Sequence, residues 1–354
     1  MEYSMTNRQN QTLLTDLNRV LETFEAEDEL CTDVYTTMRR LELINSYASE
    51  KMLHVYDEGG CKNPCKVSDW AFGQLTAKLD IPTGYTMKLW TQGHEIAVKD
   101  LVNYFIDASP YESKKLLVRM KGVHEGMDKI RAILSDKYSI LNNSTIVKHL
   151  LSLLQFNSNA ELQVCNYNDQ YMHLRLLFTP VDCTEDEFRV GVDIINSEVG
   201  AANLTISSLV WRLVCSNGLR AMVPEAVYRQ RHIYLKPLQI VDYMSDAINE
   251  CLMSAEKLSR DFLKARLVPI KHPAWMMSNI IEDNAIQDQH TNIILTEFVS
   301  VKVSSLYDII NVLTAAAKSL PFEDRLKLES LAGSLVYLSG PAINKLQEVR
   351  AQDE

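Results

Sequence analysis

Apolar residues in the N-terminal third follow the spacing of helices. Leu17, Val20 and Phe24 are separated by steps of three and four, which predicts an amphipathic helix in the opening segment 10–50. Ser68 precedes a short apolar group and predicts an N-cap for a helix that ends near Pro82. A further helix is predicted over residues 94–108, where one apolar stripe recurs.

The pattern in the centre changes to short apolar runs of strand length. Residues 115–120 and 129–134 flank a turn near Gly122 and predict two paired strands. Further strands are predicted by the alternating or clustered apolar residues of 161–167, 171–178, 189–196 and 205–214. A helix is predicted between them, over residues 145–154.

After residue 236 the helical spacing returns, over residues 240–267, 306–318 and 325–338. This order predicts an α+β fold whose central, mainly antiparallel sheet is flanked by N-terminal and C-terminal helices. The predicted regions are a helical, acidic part at 1–110, a β-rich core at 111–238 and a helical part at 239–354. One composite domain made of all three is the alternative.

Composition indicates an ordinary globular protein. Of the 354 residues, 46% are hydrophobic and 23% are charged, so disordered and fibrous classes are excluded. No apolar stretch approaches the roughly 18 residues of a membrane span, and the N-terminus lacks a signal-peptide pattern. Seven cysteines, an odd number in a long chain, favour reduced thiols and therefore a cytoplasmic protein without membrane contact.

Charge is distributed unevenly along the chain, and this bears on which part of the chain a charged partner would contact. The formal net charge is −10, which disfavours a protein that coats nucleic acid with its whole surface. Residues 1–50 hold 10 acidic and 4 basic residues, whereas residues 110–236 hold 15 basic and 13 acidic residues. An anionic partner would therefore meet the central region.

Basic and aromatic residues recur on the predicted central strands and their turns. If several share one sheet face, the cations would neutralise phosphates while the aromatic rings stack on unpaired bases. Salt bridges within the same segment, or arginines at a subunit boundary, are the alternatives. The predicted nucleic-acid contacts are Arg119, Lys121, Arg131, Lys137, Tyr138, Trp211, Arg212, Arg220, Arg229 and Arg231.

Asn196, Ser197 and Gly200 form a short polar segment at the end of a predicted strand. Asn and Ser side chains bond to local backbone, and glycine accepts positive φ, so a structured turn is one interpretation. A loop that presents amides and hydroxyls to a phosphate is the other.

Catalytic and metal motifs receive little support. Cys215 with His232 lacks a third group to orient a nucleophilic pair, so a buried cysteine beside a turn is favoured. Cys61 and Cys65, with His54 upstream, lack the second ligand pair of a structural zinc site. Phosphate loops, dinucleotide fingerprints and hydrolase or metalloprotease signatures are absent from the sequence. We therefore predict a protein that is not an enzyme and has no metal or cofactor.

Four groups of motifs carry a resemblance that spans about residues 115–338. They are Val118-Arg119 with the run 130–138, the run 196–202, the run 213–219 with Arg231-His232, and the run 305–311 with 331–333. Together they resemble the phage- and plasmid-like domain-of-unknown-function family. This resemblance implies a mobile-element origin, a bacterial host cytoplasm and the setting of phage recombination and replication.

The leading hypothesis is a non-enzymatic, oligomeric protein that binds single-stranded DNA and assists annealing or recombination. Phosphate contacts are expected from the central arginines and lysines, with stacking by Tyr138 or Trp211. The alternative is a phage-encoded inhibitor or scaffold whose acidic helices engage a basic host or viral protein. A weaker alternative is an enzyme that uses Cys215 and His232.

Overall fold

The computed structural model describes residues 3–45, 50–57, 60–61, 64–108, 110–122, 127–154, 160–178, 188–212, 217–220, 227–234 and 237–349. The strands in these ranges are β1 (Cys31–Thr37), β2 (Leu41–Asn45), β3 (Lys51–Asp57), β4 (Gly60–Cys61), β5 (Cys65–Val67), β6 (Lys115–Lys121), β7 (Lys129–Ser135), β8 (Ala160–Tyr167), β9 (Met172–Phe178), β10 (Phe188–Asn196), β11 (Leu204–Arg212), β12 (Asn217–Arg220) and β13 (Val227–Gln230). The helices are α1 (Tyr3–Glu29), α2 (Asp69–Lys78), α3 (Thr83–Thr91), α4 (Glu95–Asp107), α5 (Asn143–Leu154), α6 (Pro237–Lys264), α7 (Pro273–Asp283), α8 (Asp288–Ser300), α9 (Leu306–Ala317), α10 (Phe322–Leu335) and α11 (Gly340–Lys345).

The fold is mixed α/β, with two sheets in the part that the structure describes. The first sheet has the order β1-β6-β7-β5-β3-β2, with β4 beside β3. The second has the order β12-β11-β10-β9-β8, with β13 beside β11. Helices and strands are both present as predicted, but the strands are divided between two sheets instead of forming one central sheet.

The prediction that residues 1–110 are helical is wrong between residues 31 and 67, where the structure has strands. The opening helix ends at Glu29, and β1 to β5 follow before residue 68. These strands are short and carry polar residues on one side, so their pattern lacks the long apolar runs of the central strands. The helices at 69–107 then cover the sheet that these strands build. Ser68 caps α2 as predicted, accepting a hydrogen bond from the Ala71 amide at 3.1 Å.

The first sheet is joined across the predicted region boundary by β6 and β7. β1 pairs with β6 in antiparallel register, and β5 pairs with β7 in parallel register. One sheet face contributes Leu43, Val55 and Val118 to a core with residues of α2, α3 and α4. Strands β1 to β3 and β5 and helices α2 to α4 therefore share one core with β6 and β7, and the strands form one sheet across the predicted boundary.

A β-bulge in β7 affects the opposite face of this sheet. Arg119 is opposite Ala132 and Met120 is opposite Ile130, which leaves Arg131 as the extra residue. Leu117 and Ala132 belong to a small cluster together with Val199, which comes from the loop between β10 and β11. This face is therefore where the first sheet meets the second.

The second sheet is covered on both faces. Residues such as Leu174 and Ile194 pack with residues of α1, α5 and α6. The opposite face carries Arg175 of β9 and Asp193 of β10, and Glu329 of α10 reaches Arg175 there. Burial on both faces explains why β9 and β10 are rich in apolar residues.

Gly191, in the middle of β10, leaves no room for a side chain. A Cβ at this position would lie 2.3 Å from the Leu176 carbonyl oxygen and 2.9 Å from Leu177 Cδ2. We expect Gly191→Ala to lower the free energy of unfolding by about 1–3 kcal/mol, because the paired strand must shift. Urea unfolding would measure this loss.

Gly84 in α3 provides the control, because a Cβ there would meet no atom within 4 Å. Gly84→Ala should leave the stability unchanged or raise it slightly, since alanine favours helix. An unfolding midpoint for Gly191→Ala equal to that of the unmodified protein would contradict the close strand approach.

Candidate nucleic-acid interface

Arg119, a predicted phosphate contact, lies between the two sheets with 1% of its surface exposed. Its Nε and Nη2 donate to the two carboxylate oxygens of Asp33 at 2.8 and 3.3 Å. Nη1 donates to the Glu198 carbonyl oxygen and Nη2 to Asn142 Oδ1, both at 2.8 Å. A buried guanidinium whose donors are occupied in this way is a structural cation, so the predicted surface role of Arg119 is corrected.

Arg131, the bulge residue, is engaged in the same region. Its Nη2 lies 2.8 Å from Glu198 Oε2, and the side chains are only 10% and 7% exposed. Glu198 Oε1 accepts the Asn143 amide at the start of α5 at 2.7 Å. We call Asp33, Arg119, Arg131, Asn142 and Glu198 the inter-sheet network. Arg131 is therefore also corrected from a phosphate contact to a buried ion pair.

Cys31 lies at the edge of the inter-sheet network, and Arg131 Nη1 donates to its sulfur at 3.2 Å. Burial raises the pKa of this thiol above its ordinary value, and the Arg131 guanidinium does not reverse the shift. The thiolate that nucleophilic or metal chemistry requires is therefore disfavoured here.

The predicted ligand segment 196–200 is a structured turn that joins the sheets. Asn196 and Ser197 are fully buried, and Asn196 Nδ2 donates to Asn143 Oδ1 at 2.8 Å. The Val199 carbonyl oxygen accepts hydrogen bonds from Trp70 Nε1 and from a glutamine of α2. Gly200 has φ +76°, which agrees with the turn interpretation. Asn196 and Ser197 are thus unavailable to a surface phosphate.

Tyr138 is partly buried, and its ring is already stacked on a histidine of the protein. Its hydroxyl donates to the Ser197 carbonyl oxygen at 2.7 Å and lies 2.9 Å from His232 Nδ1. The two rings stack with centroids 5.1 Å apart. Burial raises the pKa of Tyr138 above its ordinary value, so this hydroxyl stays protonated. The predicted stacking role of Tyr138 is corrected to an internal contact.

The remaining predicted residues that the structure describes include three exposed cations. Arg229 on β13 and Arg231 immediately after it are exposed, as is Lys137 in the turn after β7. Neither arginine forms an ion pair in the part of the chain that the structure describes. Lys121, by contrast, lies 3.3 Å from Glu27 and is only partly exposed.

An exposed aromatic ring, missed by the sequence analysis, completes this surface. Tyr234 is 71% exposed, and Lys137 Nζ lies 5.9 Å from the centre of its ring. We call Lys137, Arg229, Arg231 and Tyr234 the basic–aromatic patch. The signal was present in the sequence, since an aromatic residue follows Arg229 and Arg231 within five positions, but the predicted stacking residues were Tyr138 and Trp211.

Backbone contacts hold the two segments of the basic–aromatic patch together. Tyr138 and Ile233 form an isolated antiparallel bridge, and the Tyr234 amide donates to the Lys137 carbonyl oxygen at 3.3 Å. Tyr234 has φ +56°, a left-handed conformation that is uncommon for a bulky residue and costs conformational energy. The surrounding contacts therefore fix the exposed ring in an otherwise unfavourable backbone geometry.

The side chains of three predicted contacts lie outside the described part of the structure. Trp211 and Arg212 end β11 and Arg220 ends β12, but only their backbone lies within the described structure. Cys215 lies outside the described residues altogether. His232 is buried at 3% exposure, and its described polar partner is Tyr138.

Within the described ranges, no group of three or more His, Cys, Asp or Glu side chains is arranged to hold a metal ion. Among the helices that the structure describes, none has both the length and the apolar character of a membrane span.

Comparison with known proteins found no matching family model, curated protein or solved structure.

Proposed function

We propose that the protein binds single-stranded DNA without catalysing a reaction, through the basic–aromatic patch. The observation that carries this proposal is the exposed Tyr234 ring, with Lys137 Nζ at 5.9 Å and the exposed Arg229 and Arg231 within five positions along the chain. Such cations neutralise phosphates, and an exposed ring stacks on any unpaired base. The proposed contacts are exposed residues that a ligand can reach, in place of Arg119, Arg131 and Tyr138.

Two further considerations support this proposal. The patch lies within the central region, the one part of the chain whose charge balance is basic, at 15 basic against 13 acidic residues. The resemblance to the phage- and plasmid-like family implies a role among phage recombination and replication proteins in a bacterial cytoplasm. An oligomer that assists annealing or recombination is the form of the proposal that fits this setting.

The test is fluorescence anisotropy of a labelled single-stranded oligonucleotide titrated with the full chain. We expect Arg229→Ala with Arg231→Ala to raise Kd by about tenfold to a hundredfold, because each charged contact contributes roughly 1 kcal/mol or more. Tyr234→Ala should also weaken binding, by about five- to a hundredfold, because stacking on one base contributes roughly 1–3 kcal/mol.

Arg40→Ala with Arg260→Ala is the matched control. Both arginines are exposed and lie on other elements, the turn after β1 and helix α6, so the change in net charge is identical. Equal loss of binding in both double variants would show unspecific attraction and contradict the patch. No binding by the unmodified protein at low salt would contradict the DNA proposal and favour the alternative of a basic protein partner.

A further inference from the structure

His232 differs from its neighbours because it is buried inside an otherwise exposed segment. Ile233 and Tyr234 are 47% and 71% exposed, whereas His232 is 3% exposed. Its backbone carbonyl oxygen accepts the Ser139 amide at 2.9 Å, and its ring stacks on Tyr138. The imidazole therefore anchors the segment that carries half of the basic–aromatic patch.

The hydrogen bonds around Tyr138 determine which nitrogen of His232 carries the proton. The Ser197 carbonyl oxygen can only accept, so the one hydroxyl proton of Tyr138 is donated to it, at 2.7 Å. His232 Nδ1, 2.9 Å from the same hydroxyl oxygen, must then donate its own proton. This leaves the Nε2 lone pair buried, with no hydrogen-bond partner within the described residues.

The charges around the imidazole favour the same neutral form. Burial, and after it the nearby Arg119 guanidinium, lower the pKa of His232 to about 4. Tyr138, which faces the ring, stays protonated, and the charges of Arg119, Glu198 and Arg131 act on it in opposing directions. A second proton on Nε2 would be a buried donor without an acceptor, which is costly.

We propose that His232, as the neutral imidazole protonated on Nδ1, is the positioning residue of the basic–aromatic patch. Through Tyr138 and Ser197 it fixes the segment 231–234 to the turn that joins the sheets, so that Arg231 and Tyr234 are held outward toward the nucleic acid. This inference rests on the proposed function for its role in binding, while the anchoring itself can be measured without DNA.

Nitrogen NMR of the full chain, with labelled histidine, tests the tautomer. We expect a neutral His232 with its proton on Nδ1 that does not titrate between pH 7 and pH 5. A proton on Nε2, or a titration near the ordinary histidine pKa of about 6.5, would overturn the proposal.

Anchoring is tested by hydrogen exchange in His232→Phe, which keeps a ring for stacking but removes both nitrogens. We expect faster exchange of the Ser139 and Tyr234 amides, with exchange in α9 unchanged. Unchanged exchange at Ser139 and Tyr234 would overturn the anchoring role. Faster exchange everywhere would show global destabilisation and would also overturn the anchoring role. Tyr138→Phe, which removes only the hydroxyl, is measured beside His232→Phe as a milder variant.

Positioning for binding is tested by a double-mutant cycle on oligonucleotide affinity. We expect His232→Phe to raise Kd by about fivefold to tenfold in the unmodified protein. It should have no further effect when Arg231 and Tyr234 are both alanine, because it acts through them. An equal effect in both backgrounds would overturn the positioning role. If the unmodified protein fails to bind while the NMR and exchange results hold, the proposed function fails and the anchoring stands.

Discussion

Replacement of Arg175 by methionine is expected to lower the free energy of unfolding by about 3–5 kcal/mol. The Arg175 side chain is fully buried, and it bonds to both carboxylate oxygens of Asp193 at 2.7 and 2.9 Å and to Glu329 at 2.8 Å. Burial alone would lower the pKa of Arg175, but the two carboxylates raise it above its ordinary value. Without the cation, two buried carboxylates lose most of their compensation.

Urea unfolding followed by tryptophan fluorescence measures this loss, with exposed Arg260→Met on α6 as the control. The control should change stability by less than about 0.5 kcal/mol. Removing all three charges, as Arg175→Met with Asp193→Leu and Glu329→Leu, should recover much of the stability, because no unpaired charge remains buried. A single Arg175→Met variant as stable as the control would contradict the buried ion triad.

Replacement of Arg119 by methionine is expected to have an effect of similar size, about 3–5 kcal/mol. Arg119 donates to Asp33, to Asn142 Oδ1 and to the Glu198 carbonyl oxygen, so its loss removes a donor from three acceptors at the junction of the sheets. Urea unfolding should show this decrease, whereas Arg229→Ala with Arg231→Ala should unfold like the unmodified protein. An Arg119→Met variant that keeps its stability but loses oligonucleotide binding would reverse our assignment of the two sets of arginines.

The strands of the second sheet were predictable because burial on both faces makes them almost continuously apolar. The predicted runs 171–178 and 189–196 differ by one residue at their starts from β9 and β10. Arg189 near the start of β10 is partly exposed, and the buried charged residues within the two strands are Arg175 and Asp193. They are paired across adjacent strands and with α10, a contact between residues 154 positions apart that local pattern cannot show.

Strands β6 and β7 of the first sheet were predicted, but β1 to β5 were missed because they depend on distant partners. β1 reads Cys-Thr-Asp-Val-Tyr-Thr-Thr, with Asp33 at a position that a lone strand would leave to solvent. Arg119, 86 positions away, supplies the charge that pairs with this carboxylate. Strand formation in residues 31–67 is therefore decided by tertiary contacts that override local propensity.

The residue types of the candidate site were predicted from the sequence, but not which of those residues are buried and which are exposed. Arg119 and Arg131 lie among apolar neighbours in short strands, and a cation within such a run indicates an internal ion pair as readily as a surface contact. Arg229 and Arg231 also follow a mostly apolar stretch, residues 221–228, so local composition does not separate them from the buried arginines. Which arginines face water depends on the acids opposite them, and those acids lie in other elements.

The most direct test of the central claim is the salt dependence of oligonucleotide binding. The slope of log Kobs against log salt concentration should be less steep by about 1.4 in Arg229→Ala with Arg231→Ala, since each lost phosphate contact on a single strand contributes roughly 0.7. The Arg40→Ala and Arg260→Ala control should keep the slope of the unmodified protein. Equal slopes for all three proteins would contradict phosphate binding by the basic–aromatic patch.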